Sequence, residues 1–271
     1  METTTLNYRE VLKNKEKIVV KIGTSSLTFE NGRLNFLRIE KIVNVLSTLR
    51  KQNKKVLLVT SGAIAVGAGR LGFVEKPKDL AKKQALAAIG QAELMKIYQK
   101  FFAEHGQSVA QVLLTKDVVT IPVRHQNAKK TLNKLLDLGI IPIINENDTI
   151  STYEIVFGDN DTLSAIVASL IDADLLIMFS DIDGLYTGDP RFDKNATLIK
   201  TVTKIDDNLI EKANGAGTSF STGGMITKLA AAKICFEAGI DMVITNGKDP
   251  AIIFDILEAK EIGTHFHPLK N

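Results

Sequence analysis

Short apolar runs alternate with longer segments of helical periodicity along most of this chain, and each pattern predicts one kind of element. Strands are predicted at residues 18–22, 56–60, 109–114, 140–144, 175–179 and 242–245. Helices are predicted at residues 35–52, 80–105, 127–138, 163–171, 225–238 and 252–257, with Gly90 a candidate break in the second. Strands that alternate with helices predict an α/β fold with a mainly parallel sheet. No repeat, low-complexity segment or linker interrupts the pattern, which favours a single domain.

Small or polar residues follow five of the predicted strands, in the clusters KIGTSS, TSGA, INEND, FSDIDG and TNGK. Parallel strands place their carboxyl ends at one edge of a sheet, and ligands bind beyond that edge. We therefore expect the five clusters to converge on one site. Their convergence is a stronger signal than any single cluster.

The segment 140–161, IIPIINENDTISTYEIVFGDND, carries many of the amides and carboxylates. Its apolar run is typical of a strand buried on both faces, and it breaks into polar residues that include Asn145 and Asp148. Asn160 and Asp161 then open a helical segment. These side chains suit a small polar ligand. The alternative is an Asx-rich turn in which Asp161 only caps the next helix.

Two lysines are candidates for binding an anion. Residues 214–228, NGAGTSFSTGGMITK, run into a helix, and amides at a helix start bind anions. Lys228 would add a full positive charge there, although a flexible surface loop is the alternative by composition. Lys21 ends the first strand beside Gly23, where the alternative is a solvated lysine. Two lysines aimed at one edge suit phosphate groups, whose charge must be offset during transfer.

Three other segments resemble nucleotide-binding or calcium-binding motifs but depart from the spacing that those motifs require. Glycines 67, 69 and 72 spell GxGxxG, but the first comes seven residues after Thr60, so we interpret them as helix-end glycines. The segment 214–228 is not a Walker A sequence, because its lysine does not directly follow the last glycine. The acidic DIDG segment breaks the ligand spacing of a calcium loop.

Histidine and cysteine chemistry is not predicted either. His265 and His267 could ligate a metal but lack an obvious third ligand, while His105 and His125 look like surface or helix-end residues. Cys235 is the only cysteine and lies in an apolar helical run, which excludes a disulfide framework and a Cys-based metal site. We therefore predict no metal ligated by the protein.

The amino-acid composition bears on whether the chain is a globular, a nucleic-acid-binding or a membrane protein. The 271 residues are 45% hydrophobic and 24% charged, ordinary values for a soluble globular chain. The 34 basic and 31 acidic residues are interspersed, so no nucleic-acid-binding stripe is predicted. The sequence has no apolar leader and no run long enough to span a bilayer. We therefore expect no membrane partner and a cytoplasmic location.

The sequence shows no obvious general base, which favours a phosphoryl acceptor that needs no deprotonation before it attacks. A carboxylate has a pKa near ~4 and is ionised at neutral pH, so no proton must be removed before it attacks. Lysines, amide N–H groups and Mg²⁺ would then help one anion approach another. We favour phosphorylation of a carboxylate over phosphorylation of an alcohol.

The motifs KIGTSSL, VTSGAIA, LLTKDV, PIINENDTI, FGDNDTLSA, SDIDGLYTGDP and STGGMITK together resemble the amino acid kinase family, from Ile18 to about His267. SGAIA, INEND and GDND resemble its glutamate-phosphorylating branch and differ from the aspartate, acetylglutamate and uridylate kinases. The resemblance implies a three-layer αβα sandwich with a central sheet of about eight strands. It also implies phosphorylation of the γ-carboxylate of L-glutamate by ATP with Mg²⁺, the first step of proline biosynthesis.

Individual roles are implied by the resemblance alone. Lys21 and Lys228 would stabilise the transferring phosphoryl group, and Asp161 would orient them. The residues implied to contact ATP are Lys21, Gly23, Thr24, Ser25, Ser180, Asp181, Thr222, Gly223, Gly224, Met225, Ile226, Thr227 and Lys228. The residues implied to hold glutamate are Ser61, Gly62, Asn145, Asn160 and Asp148, the last on the α-ammonium group. Mg²⁺ would arrive with ATP.

The resemblance does not extend to every part of the family's architecture. Many relatives carry a second, C-terminal PUA domain similar to RNA-modification modules, whereas this sequence stops at Asn271, so we expect the form without it. Residues 1–16 are a predicted N-terminal extension, and residues 17–271 one kinase domain. The family implies a homo-oligomer, a dimer or a tetramer. The rival hypotheses are another carboxylate kinase of the family, an NAD-dependent oxidoreductase based on GxGxxG, and a non-catalytic amino-acid sensor.

Overall fold

The computed structural model describes residues 7–29, 33–73, 79–150, 160–206, 209–210 and 223–269, in which eight strands form one sheet. The strands are β1 (Lys17–Lys21), β2 (Lys55–Val59), β3 (Val109–Leu114), β4 (Ile141–Glu146), β5 (Leu175–Ser180), β6 (Thr201–Val202), β7 (Asp241–Asn246) and β8 (Thr264–Phe266). Their order is β3-β4-β2-β1-β5-β7-β8-β6, and every pair is parallel except β7 and β8. The predicted α/β class is confirmed.

Helices connect the strands. A 3-10 helix (Tyr8–Asn14) precedes β1. The α-helices are α1 (Thr24–Leu27), α2 (Phe36–Lys51), α3 (Ala63–Arg70), α4 (Leu80–Glu104), α5 (Asp117–Thr120), α6 (Pro122–Asp137), α7 (Asn160–Leu170), α8 (Gly223–Glu237) and α9 (Ile252–Leu257). Within the described ranges, no helix combines the length and apolar character needed to cross a bilayer.

Apolar layers cover both faces of the sheet because successive strand residues point to opposite sides. Val19 and Leu57 contribute to one buried cluster, which also contains residues of α6, α7 and α8. Ile18 and Val20 contribute to the other, together with residues of α2, α3, α4 and α9. The result is the expected αβα sandwich. Its two cores hold the strand ends rigidly in place.

Five polar clusters lie at one edge of the sheet. The strands that precede them, β4, β2, β1, β5 and β7, are consecutive neighbours, so their carboxyl ends adjoin one another. The sequence pattern ended β4 at residue 144, but the strand continues through Asn145 and Glu146, which pair with Leu113 and Leu114 of β3. Both polar side chains are therefore buried within the strand.

Helix α4 is continuous through Gly90, so the break suggested there is wrong. A Cβ atom at Gly90 would lie 1.8 Å from the carbonyl oxygen of Ala63, and one at Gly67 would lie 2.0 Å from that of Leu86. The backbones of α3 and α4 touch at these glycines, and this close approach outweighs the poor helix propensity of glycine. The contact also fixes the first turn of α3, next to the sheet edge.

Arg9 connects the 3-10 helix to chain segments near β6 and β8, at the end of the sheet farthest from β3. Its guanidinium group donates hydrogen bonds of 2.7 to 3.1 Å to the carbonyl oxygens of Lys200, Lys260, Ile262 and Gly263. The side chain is buried although it is charged, and all these acceptors lie next to β6 or β8. Part of the predicted extension 1–16 therefore packs against the strands at the end of the sheet.

Replacing Gly90 by Ala is expected to destabilise the protein by about 1 to 3 kcal/mol, because the new methyl group forces α3 and α4 apart. At an uncrowded helical position the same change would instead stabilise by up to about 1 kcal/mol. Urea unfolding measures the difference. The reverse substitution at the exposed neighbour, Ala88→Gly, is the control for propensity alone. Unchanged or increased stability of the Gly90 variant would contradict the close-contact explanation.

Candidate active site

Asp161 joins the two lysines singled out in the sequence. It lies in the first turn of α7, whereas Lys21 ends β1 and Lys228 lies in α8. The Lys21 ammonium group pairs with Oδ1 of Asp161, and Lys228 Nζ donates to Oδ2 at 2.9 Å. One carboxylate thus receives both ammonium groups at the carboxyl edge of the sheet.

This cluster of three charges is nearly inaccessible to solvent. Lys21, Asp161 and Lys228 are only 7%, 3% and 8% exposed. Burial acts to raise the pKa of Asp161, but the charges and hydrogen bonds of the two lysines outweigh it and lower the pKa. Asp161 is therefore ionised at neutral pH, and two ammonium groups with one carboxylate leave one net positive charge. A buried net positive charge at this edge of the sheet favours an anionic ligand.

Glycines leave space beside both ammonium groups. A Cβ atom at Gly23 would lie 3.8 Å from Lys21 Nζ, and one at Gly224 would lie 3.9 Å from Lys228 Nζ. Lys228 Nζ also donates to the carbonyl oxygen of Gly224 at 3.1 Å. Helix α8 begins at Gly223, so its first amide N–H groups add partial positive charge here. The arrangement suits a phosphate group.

A second polar cluster adjoins the first through Asn160, the residue before Asp161. Asn160 Nδ2 donates to the carbonyl oxygen of Thr60 at 2.5 Å, to Ser61 Oγ at 2.8 Å and to Asn145 Oδ1 at 2.9 Å. The ends of β2 and β4 and the start of α7 are thereby tied together. Three of the residues predicted to hold glutamate lie within this one network.

Gly62 shapes the turn that follows this network. Its φ of 94° is in the left-handed region, which glycine adopts readily, and it serves as the N-cap of α3. A Cβ atom at Gly62 would lie 3.3 Å from Cγ2 of Thr24. Thr24, predicted to contact ATP, therefore lies directly beside a residue predicted to hold glutamate. The two predicted subsites meet at this contact.

Two glutamines extend the amide network and were missed in the sequence. Asn145 Nδ2 donates to Gln91 Oε1 at 3.0 Å, and Gln91 Nε2 donates to Gln111 Oε1 at 3.1 Å. Gln111 interrupts the apolar strand VAQVLL, a signal that could have identified it. Gln91 lies in an Ala-rich helix, where nothing in the sequence indicates which neighbour it meets.

Asp148 differs from the other acidic residues of this edge. Burial, with a smaller contribution from the negative charge of Glu146, raises the pKa of Asp148 to about 6. A desolvated carboxylate beside a second carboxyl group favours a bound cation, which would relieve the repulsion between them. Such perturbed groups concentrate in functional sites. The surroundings of Asp148 therefore suit a cationic group of a ligand.

Ser180 ends β5 and Asp181 follows it, and both are held against the end of β7. The amide of Gly247 donates to the carbonyl oxygen of Ser180 at 2.9 Å, and Asn246 Nδ2 donates to that of Asp181 at 3.3 Å. Asp181 is exposed. These two residues lie at the same edge as Lys21, because β5 is the neighbour of β1.

Most of the other predicted ATP contacts that the structure describes lie in α1 and α8. Thr227 Oγ1 donates to Asp161 Oδ2 at 3.0 Å, which joins it to the charged cluster. Met225 is buried, while Ile226 and Ser25 are exposed. Thr222 and most of the Gly-rich segment lie outside the described residues.

The model of the amino acid kinase family matches residues 16–246 of this chain. Curated proteins named glutamate 5-kinase are similar over most of its length. The protein of Listeria monocytogenes is 50% identical over 262 residues, 95% of each chain. That of Clostridium tetani is 51% identical over 264 residues, 97% of this chain and 99% of that one. That of Caldanaerobacter subterraneus is 52% identical over 255 residues, 94% and 68% of the two chains.

Solved structures share the fold at low sequence identity. Isopentenyl phosphate kinase of T. acidophilum superposes with a TM-score of 0.64 at 19% identity, covering 93% of this chain and all of that one. Carbamate kinase from Giardia lamblia, bound to AMP-PNP, gives a TM-score of 0.67 at 16% identity, covering 95% and 100% of the two chains. At this identity the likeness bears on the fold alone.

Replacing Asp161 by Asn is expected to lower the free energy of unfolding by about 3 to 5 kcal/mol, because two buried ammonium groups lose their common counter-charge. Urea unfolding of the two proteins measures this. Asp137→Asn is the matched control, since that carboxylate pairs with Lys55 at the surface, and its stability should be unchanged. Equal stabilities of the Asp161 variant and the parent would show that the carboxylate is not the electrostatic support of the lysines.

Proposed function

Since this chain belongs to the amino acid kinase family, we propose that it transfers the γ-phosphoryl group of ATP to the γ-carboxylate of L-glutamate. The product is L-glutamyl 5-phosphate, and the reaction is the first step of proline biosynthesis. One observation carries the site assignment: Asp161 pairs with Lys21 and Lys228, and its neighbour Asn160 belongs to the amide network.

The chemistry needs charge stabilisation more than proton transfer. The γ-carboxyl group of glutamate has a pKa of about 4.3 and is already a nucleophile at neutral pH. One carboxylate oxygen forms a bond to the γ-phosphorus as the bond from that phosphorus to the bridging oxygen of ADP breaks. Because two anions must meet, the main obstacle is electrostatic repulsion. Preorganised cations remove it without moving at the moment of reaction.

Lys21 and Lys228 are the proposed cations. Each ammonium group is fixed by Asp161, so each needs little reorganisation to contact a phosphoryl oxygen. Asp161 acts as a positioning residue and does not accept a proton in the reaction. Because burial is outweighed by the charges and hydrogen bonds of the two lysines, which lower its pKa, Asp161 remains ionised at neutral pH.

The space next to Gly23 and Gly224 suits the ATP phosphates, because a Cβ atom at these residues would lie 3.8 and 3.9 Å from the lysine nitrogens and glycine has none. Both oxygens of Asp161 are engaged by lysines, so this carboxylate is not available to hold a metal ion. We therefore propose that Mg²⁺ is held by the ATP phosphates, where it neutralises charge on the β- and γ-oxygens.

Glutamate is proposed to lie on the amide network. Ser61, Asn145 and Asn160 offer hydroxyl and amide groups for its carboxylates, and the first amides of α3 after Gly62 add donors. Asp148 is assigned to the α-ammonium group. Gln91 and Gln111 keep the network in place and are proposed as positioning residues.

The rival functions fit the chain less well. Gly67 lies inside α3 against α4 and not in a strand-to-helix turn, so the GxGxxG spacing does not form a dinucleotide site. A non-catalytic sensor would not need two buried lysines on one carboxylate. A homo-oligomer, dimer or tetramer, and a cytoplasmic location remain proposals that rest on the family resemblance.

An ADP-release assay with a panel of acceptors tests the proposed function. Glutamate should support turnover, whereas aspartate, acetylglutamate and carbamate should not. Lys228→Ala should reduce turnover with glutamate by about 10² to 10³-fold, because it removes a preorganised cation. Lys233→Ala, exposed farther along the same helix, is the matched control and should retain full turnover.

Two results would contradict the proposal. Turnover with another panel member but not with glutamate would refute the substrate assignment. Near-normal turnover of Lys228→Ala, with its fold intact by circular dichroism, would refute the role of that ammonium group and leave the substrate assignment standing.

The KM for glutamate is expected to rise by about fourfold from about pH 7.5 to about pH 5.5, because only the ionised form of Asp148 attracts the α-ammonium group. The sign follows from its pKa of about 6: below this pH the carboxyl group gains a proton and its charge is lost. Steady-state kinetics over this range measure the effect.

Asp148→Asn is the control for this pH dependence. It should show a high KM for glutamate that does not change over the same pH range, with little change in the KM for ATP. A wild-type KM that is constant with pH would contradict the assignment of Asp148.

A further inference from the structure

The HxH pair of the C-terminal strand acquires a third partner in the folded chain. His265 and His267 are two residues apart on an extended segment, so their side chains share one face of the sheet. Strand β7 runs antiparallel to β8, with Val243 opposite His265 and Met242 opposite Phe266. This register brings Asp241 opposite His267.

The three side chains converge on one point. Asp241 Oδ1 lies 2.7 Å from His265 Nε2 and 2.7 Å from His267 Nδ1. The three potential ligand atoms all lie within 4.8 Å of one another. Asp241 and His265 are buried, whereas the His267 side chain is 19% exposed, so solvent reaches one side of the cluster.

We propose that Asp241, His265 and His267 bind one divalent transition-metal ion of the zinc class. Two imidazoles and one carboxylate are ligands that Zn²⁺ and its neighbours prefer, and three protein ligands leave a further position for water. Ligand atoms around a tetrahedral zinc are about 3.3 Å apart, so each oxygen–nitrogen distance must open by about 0.6 Å. The partly exposed side chain of His267 can provide part of this movement.

The surroundings give the site a structural role. Lys15 Nζ donates to the second carboxylate oxygen, Asp241 Oδ2, at 2.6 Å, and the ring of Tyr8 lies 5.2 Å from that of His267. Such contacts from neighbouring groups orient metal ligands. A bound ion would therefore join β7 to the C-terminal segment and fix the two side chains against which Lys15 and Tyr8 pack.

This site is separate from the proposed active site. Asp241 is the first residue of β7, so the cluster lies toward the amino end of the strand, whereas Asn246 and the phosphate-binding groups are at its carboxyl end. Metal binding here does not rest on the proposed kinase activity. Failure of the metal-binding proposal would leave the proposed kinase activity standing, and the reverse also holds.

Metal titration of the full chain tests the inference. After treatment with EDTA and dialysis, the protein is titrated with Zn²⁺ by calorimetry and with Co²⁺ by visible absorption, without nucleotide. We expect one high-affinity Zn²⁺ per chain, a Co²⁺ spectrum typical of low-coordinate nitrogen and oxygen ligation, and a Zn²⁺-dependent rise in Tm. His267→Gln should weaken zinc binding by at least about tenfold.

The double variant His105→Gln, His125→Gln removes the other two histidines of the chain and is the matched control, which should bind as the parent does. Asp241→Asn is the second test, with folding of every variant verified by circular dichroism. Parent protein that binds no Zn²⁺ would overturn the inference. Equal affinity of parent and His267→Gln, or loss of binding only in the double variant, would also overturn it.

Discussion

The Asp161 carboxylate, held between two ammonium groups, is the interaction on which the active site depends. Lys21 lies in β1 and Lys228 in α8, two elements far apart in the sequence. Each ammonium group needs a counter-charge in order to be buried. Asp161 supplies it from α7, a helix packed in the core of the same face as α8. In the proposed function stability and chemistry share this residue, since the charge that permits burial also fixes the positions of the two ammonium groups.

Much of this arrangement was predictable because strand direction alone determines where strand ends meet. Lys21 and Asn145 lie at the carboxyl ends of β1 and β4, and Ser61 and Asp181 come just after β2 and β5. Parallel pairing brings all four strand ends to one edge. Helix starts are equally visible in the sequence, which is why Asp161 could be assigned to this edge. The pattern that located these residues is the alternation of buried strands with helices, and it requires no knowledge of any side-chain contact.

Other features depend on distances that a one-dimensional pattern does not contain. Gly90 suggested a broken helix, because the close approach of α3 that makes glycine necessary is a tertiary contact. Strands β6 and β8 have two and three residues, too few to produce a periodic signal. Gln91 and Asp241 look ordinary in the sequence. Gln91 contacts Asn145, 54 positions along the chain, and Asp241 contacts His265, 24 positions along it. Only the folded structure identifies these partners.

Asn160 and Asp161 are consecutive residues in one turn of α7, and each serves a different polar cluster. The proposed glutamate pocket and the proposed phosphate pocket are therefore joined through one turn of a helix. The distance between the two clusters is therefore set, at this point, by the covalent geometry of one helix turn. Misplacement by about 1 Å can cost about 10²-fold in rate, so two anchors on consecutive residues fix a spacing to which the proposed reaction would be sensitive.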